Sequence, residues 1–264
     1  MARSKNGLET RQDTSTSMVL SNGLQLLSLV AKTNGQLSLR DIGRRLELSP
    51  TVTHRLVATL RKHKYLERSP VTGKYVVGVE SFIVGRSYTE STGVDAVAKP
   101  ILEEAAKQYG VNCFMGVRKG TGIVYLYDFS GAKRTSIRIA PGTEVPLHVT
   151  SMGMAILAQL PADELKRFID SVTAERTDDL SILGEQFDKQ LRFARANGYS
   201  QLRSEVFPGV LSVGAVIPRQ QSESEMAISF GIQANLVRDD DLAVLGNRIL
   251  TTVRRIEIGL QRMV

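Results

Sequence analysis

Tryptophan is absent from the chain, cysteine occurs once, at Cys113, and histidine three times, at His54, His63 and His148. A single cysteine excludes an intrachain disulfide and any zinc site built on paired thiolates. No His-x-x-x-His pair is present, so no metal site is expected. No apolar run approaches the ~18 residues of a membrane span. The opening MARSKNGLETRQDTSTS holds no apolar stretch of the kind that directs secretion. With so little cysteine, a reducing cytoplasm is the expected compartment, with no membrane partner. Nucleotide-binding signatures are missing too. There is no Gly-x-x-x-x-Gly-Lys-Ser/Thr, and Gly120-Thr121-Gly122 lacks the third glycine and joins two strands. His148 and Ser151 stand three apart in a loop, without the Gly-x-Ser-x-Gly turn that exposes a serine nucleophile. His148 is therefore read as a loop-fixing residue. The chain is expected to be no enzyme and to carry no cofactor.

What is present is a globular composition with an uneven charge. Of the 264 residues, 42% are hydrophobic and 23% charged, enough for packed cores in one large domain or two ordinary ones. Residues 1–90 hold 14 Lys+Arg against 7 Asp+Glu, whereas residues 91–264 hold 20 of each. The whole excess of +7 thus lies in the first third. A compact basic segment beside a neutral one points to a polyanion partner for the first part alone.

Residues 1–16 are polar and read as a disordered arm. From Met18, Leu20, Leu24, Leu27 and Ala31 follow helical spacing, with Leu26 and Val30 widening the stripe, and Asn34-Gly35 ends the helix. Ser38 is the expected N-cap of a short helix carrying Leu39, Ile42 and Leu46 on one face. After the turn Glu47-Leu48-Ser49, a third helix begins with Pro50 in its first position and runs to about His63, burying Val52, Leu56 and Leu60. A hairpin follows, Tyr65–Arg68 and Lys74–Val77 around Ser69–Gly73. This order is a winged helix-turn-helix, whose third helix enters a DNA major groove. Its outward residues are expected to be Thr51, Thr53, His54, Arg55, Arg61 and Lys62, the first four nearer base edges and the last two nearer phosphates. Ser38 and Ser49, at helix starts, suit phosphate oxygens. Arg40 and Lys74 complete the expected DNA-contacting set.

Val79 to about Ser91 reads as a linker helix with Val79, Phe82, Ile83 and Tyr88 as its apolar residues. Ser91-Thr92-Gly93 breaks it. A helix from Val94 to Tyr109 contains Pro100, which predicts a kink or a restart near Lys99. Strands are expected at Asn112–Lys119, Ile123–Phe129, Arg134–Ala140, Tyr199–Val206, Leu211–Pro218 and Met226–Gln233. Helices are expected at Ser151–Leu160, Ala162–Val172, Gln186–Asn197 and from the acidic run Asp239–Asp241 to the C-terminus. The free amides at Ser151–Gly153, where a helix opens, favour a carboxylate.

Three segments resemble the IclR family of bacterial transcriptional regulators. They are Leu48–Leu60, Gly142–Ala158 with the core Pro146-Leu147-His148-Val149-Thr150-Ser151-Met152-Gly153, and Asn197-Gly198-Tyr199 followed by Glu205–Val210. The resemblance covers the chain beyond its N-terminal arm. It implies an α+β architecture: a disordered arm at 1–16, a winged helix-turn-helix at 17–78, a linker helix at 79–92 and, at 93–264, a GAF-like domain with a central antiparallel sheet flanked by helices. It also implies a ligand-responsive regulator, by expectation a repressor. The implied partners are double-stranded operator DNA, a small carboxylate or carbonyl effector, and further copies of the chain as a homodimer or dimer of dimers. Carried over residue by residue, the effector site takes Ser151, Met152 and Gly153 through backbone N–H groups, Ser212 and Ser229 from strands, and Ile137, Val145 and Val210 as apolar walls. The chain departs from the family at Met154, where lysine is usual, at Val216-Ile217-Pro218, and at Leu202, a position that is acidic in some relatives. Those departures imply a short ligand, or one with an apolar portion. The alternative reading is a GAF-like enzyme or signalling sensor fused to a winged-helix interaction module.

Overall fold

The computed structural model describes residues 17–33, 35–131, 137–175, 184–203, 209–218, 225–236 and 239–262. The chain divides into two compact units, Met1–Ser91 and Thr92–Val264. The expected arm at 1–16 and Asn34 lie outside the described residues.

In the first unit, α1 (Met18–Lys32) packs with α2 (Leu39–Arg45) and α3 (Pro50–Lys62), and a two-stranded wing follows, β1 (Leu66–Arg68) and β2 (Tyr75–Val77). The wing register pairs Leu66 with Val77 and Arg68 with Tyr75, and Tyr75 also bridges to Leu37. The core is Leu26, Val30, Leu37, Ile42, Leu56, Val57 and Leu66. This corrects two expected faces. On α1, Gly23, Leu26 and Val30 turn inward, while Leu20, Leu24 and Ala31 are exposed. Apolar residues nearly surround this helix, so its pattern fits more than one inward face. Gly23 lies on the adopted face, where an added Cβ would stand at an ordinary contact distance of 3.8 Å from Leu56. On α3, Thr53, Leu56 and Val57 are buried, Leu60 is half-buried and Val52 is exposed. The linker helix α4 (Val79–Ser91) buries none of its residues.

The second unit opens with one π-helical turn, Val94–Ala98, leading into α5 (Lys99–Tyr109). Pro100 has no N–H and its ring crowds the carbonyl four residues back, so the wider turn falls where a restart is expected. The strands are β3 (Asn112–Lys119), β4 (Gly122–Ser130), β5 (Glu144–Pro146), β6 (Ser200–Arg203), β7 (Val210–Ile217) and β8 (Met226–Gln233). They form an antiparallel sheet in the order β5-β4-β3-β8-β7-β6. Ile137–Ala140 is not a ladder strand, whereas Glu144–Pro146, within an expected loop, is one. Residues 134–136 and 204–206 of two expected strands lie outside the described residues.

The helices α6 (Ser151–Gln159), α7 (Ala162–Glu175), α8 (Glu185–Asn197) and α9 (Asp239–Gln261) complete the unit. Strand alternation gives the sheet two apolar faces. Phe114 and Ala227 join Met152, Met154 and Ile156 of α6 on one side. Phe230, one residue on from Ser229, meets Tyr109 of α5, their ring centroids 6.0 Å apart. Two glycines let α6 approach closely. A Cβ at Gly214 would stand 2.3 Å from the Ser151 carbonyl oxygen, and one at Gly153 would stand 2.0 Å from that of Leu147. Ser200 Oγ donates to the same Ser151 carbonyl at 2.5 Å. The start of α6 is thereby fixed over β6 and β7.

Candidate functional site

On the first unit, α3 begins with Ser49, whose Oγ accepts from Val52 N at 3.4 Å, and with Pro50. Thr51, His54, Arg55, Arg61 and Lys62 are all exposed on α3, as is Arg40 on α2. Among the described residues, Arg40, Arg55, Arg61 and Lys62 have no carboxylate partner, so their charge is available to a polyanion. Lys74, in the wing, is half-buried.

Two expected contacts are revised. Thr53 is 1% exposed. Its Oγ1 donates to the Ser49 carbonyl at 2.9 Å, and it faces Gly43 of α2, where an added Cβ would come within 2.9 Å of that oxygen. Thr53 is therefore the contact between the two helices of the motif and does not face outward. Ser38 is engaged in a capping box: its Oγ donates to Asp41 Oδ2 at 2.6 Å and its N–H to the same oxygen at 3.2 Å. Those Ser38 hydrogen bonds hold the Asp41 carboxyl below its usual range. A carboxylate at this helix start competes with a phosphate there.

On the second unit, a small cavity of about 30 Å³ lies between the sheet and the start of α6. Its lining includes Ile137, Ser151, Val210, Ser212 and Ser229, five of the residues expected from sequence. Register explains the grouping. Phe114 pairs with Ser229 and Ser212 with Gly231, so these residues share one face across β3, β8 and β7. The other three expected residues do not line the cavity. Val145 packs on the apolar core and Met152 is fully buried in it. Gly153 gives its N–H to Thr150 Oγ1 at 2.9 Å, which closes that donor.

The remaining lining comprises Phe114, Tyr125, Ile139, Val149, Thr150 and Gly231, none of which was identified from sequence. Strand alternation could have found Phe114 and Gly231 once β3 was known to pair with β8, but that pairing joins residues more than a hundred positions apart. Gly231 keeps space open: a Cβ there would come within 3.3 Å of the Phe114 ring and 3.5 Å of Ile137. Tyr125 and Phe114 meet edge to face, their centroids 5.8 Å apart. Burial pushes the Tyr125 phenol up to about 12, so it is a neutral donor at physiological pH. The segment 137–143 is tied down beside it. Gly142 N donates to the Tyr125 carbonyl, Tyr125 N to the Thr143 carbonyl, and Ile139 N to Asp128 Oδ2 at 3.1 Å.

Elsewhere, His148 is buried against Phe168, and Cys113 is buried with its thiol pushed up by burial. Among the described residues, no group of His, Cys, Asp and Glu is placed to hold a metal ion. No described helix is long and apolar enough to cross a membrane.

A winged helix-turn-helix with basic residues that no described carboxylate pairs, followed by a sheet-and-helix unit with a small cavity, is the layout of a transcriptional regulator. Comparison with known proteins specifies it further. The family model "Bacterial transcriptional regulator IclR C-terminal" matches residues 86–258, and "IclR helix-turn-helix domain" matches residues 19–70. The chain belongs to the IclR family, whose members are transcriptional regulators and not enzymes. It is 24% identical to the transcriptional repressor IclR of Escherichia coli K12 over 245 residues, 91% of this chain and 89% of that protein. Its fold matches an IclR-family regulator from Brucella abortus with a TM-score of 0.82 at 22% identity, over 97% of this chain and 96% of that one. It also matches an IclR homologue from Microbacterium hydrocarbonoxydans in complex with 4-hydroxybenzoate, with a TM-score of 0.76 at 18% identity, over 92% and 99% of the chains. The alternative of an enzyme or signalling sensor on an interaction module is not favoured.

Proposed function

We propose that the chain is a repressor that binds operator DNA through α3 as a homodimer or dimer of dimers and responds to a small organic acid or carbonyl compound held in the second unit. The observation that carries this reading is the five-residue coincidence between the cavity lining and the expected effector site. The E. coli relative's designation as a repressor and the ligand named for the Microbacterium homologue support it. On α3, Thr51, His54 and Arg55 are the base-edge candidates, with Ser49, Arg61, Lys62, Arg40 and Lys74 as phosphate contacts.

Self-association is supported by apolar surface. Phe82 is 68% exposed, and Val79, Ile83 and Val84 on the same helix are exposed as well. Met18, Val19, Leu20 and Leu24 form a second exposed apolar group on α1. Because the cavity residues lie in the second unit and α3 in the first, the effector acts by favouring one of two oligomer arrangements over the other. A coupling of about 1–3 kcal/mol suffices for regulation. The test is selection of bound sequences from a random DNA pool by the full chain, followed by titration against the selected site. A two-fold symmetric site with steep salt dependence is expected. Absence of any enriched sequence would sink the reading.

A further inference from the structure

Three hydroxyls in the cavity of the second unit are unused. Tyr125, Ser151 and Ser229 are at most 5% exposed, and all three line the cavity. Among the described residues, none of their hydroxyls makes a hydrogen bond. None of the three is among the sealed polar atoms left without a partner, so each is within reach of a water in the cavity. Three of them on one cavity can receive a ligand oxygen in place of a water. The start of α6 adds to this. Thr150 Oγ1 caps Gly153 and the Thr150 carbonyl accepts from Met154, which leaves the N–H of Ser151 as an open donor of that helix at a residue that lines the cavity.

The charge of the lining limits what can enter. Its described residues include no arginine, lysine, histidine, aspartate or glutamate. Among the described residues, the positive influence there is the partial charge of one helix N-terminus, equivalent to about half an elementary charge. That partial charge and three hydroxyl donors match one carboxylate. A second carboxylate would be stripped of water against Phe114, Ile137, Ile139 and Val210, with no charged side chain among the described lining residues to receive it.

Resting on the effector reading above, we propose that Tyr125 is a ligand-contacting donor and that the cavity selects compounds with one carboxylate over those with two. Tyr125 is suited to this task because its phenol opens on the cavity while its backbone N–H and C=O hold the segment that supplies Ile137 and Ile139.

The test uses the full chain and four defined probes, propionate against succinate and benzoate against terephthalate, titrated by calorimetry. At least one monocarboxylate should bind, and its dicarboxylate counterpart should bind about tenfold or more weakly. Tyr125→Phe keeps the ring and its packing on Phe114, so its melting temperature without ligand should match that of the parent chain, while its affinity for the monocarboxylate falls about tenfold. Equal affinity for one and two carboxylates, unchanged affinity in Tyr125→Phe, or no binding by any probe would overturn the proposal. Sequence-selective DNA binding by the unsubstituted chain, measured in parallel, separates that outcome from a failure of the regulator reading.

Discussion

Thr53 and Arg55 stand two residues apart on α3 and have opposite fates. The helical period carries Thr53 under α2 and leaves Arg55 in solvent. Replacing Arg55 with alanine should cost about 1–3 kcal/mol on a selected operator and far less on random DNA, as read by competition binding. Thr53→Val keeps the shape and removes the bond to the Ser49 carbonyl, so it should lower the melting temperature, at a cost of about 1 kcal/mol, without altering base preference. Asp41 gives a pH prediction. Its folded value lies below its unfolded one, chiefly through the Ser38 hydrogen bonds, so its contribution is present above the unfolded value near 4 and is lost as pH falls further. The thermal midpoint should therefore drop on acidification, and drop less in Asp41→Asn. The caps Ser38, Ser49 and Thr150 follow from local chemistry, and the first two are readable in sequence for that reason. Thr53 was misassigned because an outward face was inferred from polarity, and a threonine that bonds its own helix four residues back packs like valine.

At the level of elements, β8 follows its expected bounds and β3 does too, since long alternating runs leave little freedom. The three-residue β5 is too short to alternate and exists because Ile123 pairs with Val145 beside the Tyr125 tether. The cavity was half legible. Ser212 and Ser229 were expected from the family resemblance, residue by residue, whereas Tyr125 and Ile139 enter only through the β4 tether. α1 and α4 carry exposed apolar residues that no described residue covers. Phe82→Glu combined with Ile83→Glu should abolish self-association in analytical ultracentrifugation and leave helical content unchanged, because neither side chain contributes to the core. In the second unit, Gly153→Ala and Gly214→Ala should each destabilise by roughly 1–3 kcal/mol in thermal or denaturant unfolding, since backbone atoms of neighbouring elements occupy the added methyl's position.

At the level of the whole molecule, the two units differ in electrical character more than in composition. Affinity for DNA should fall with added salt along a slope of about −0.9 per phosphate contacted on a log–log plot. Ligand affinity for the neutral second part should hardly change over the same range, and calorimetry at two ionic strengths distinguishes the two responses. The excess of +7 has a further effect in free solution. Like-charged copies repel, and residues 91–264, with equal acids and bases, contribute no net repulsion of their own. Phosphates that neutralise the basic third therefore remove the force that keeps copies apart. DNA would then act as an assembly surface: copies dispersed in dilute buffer would gather side by side on the duplex at concentrations too low for them to associate without it.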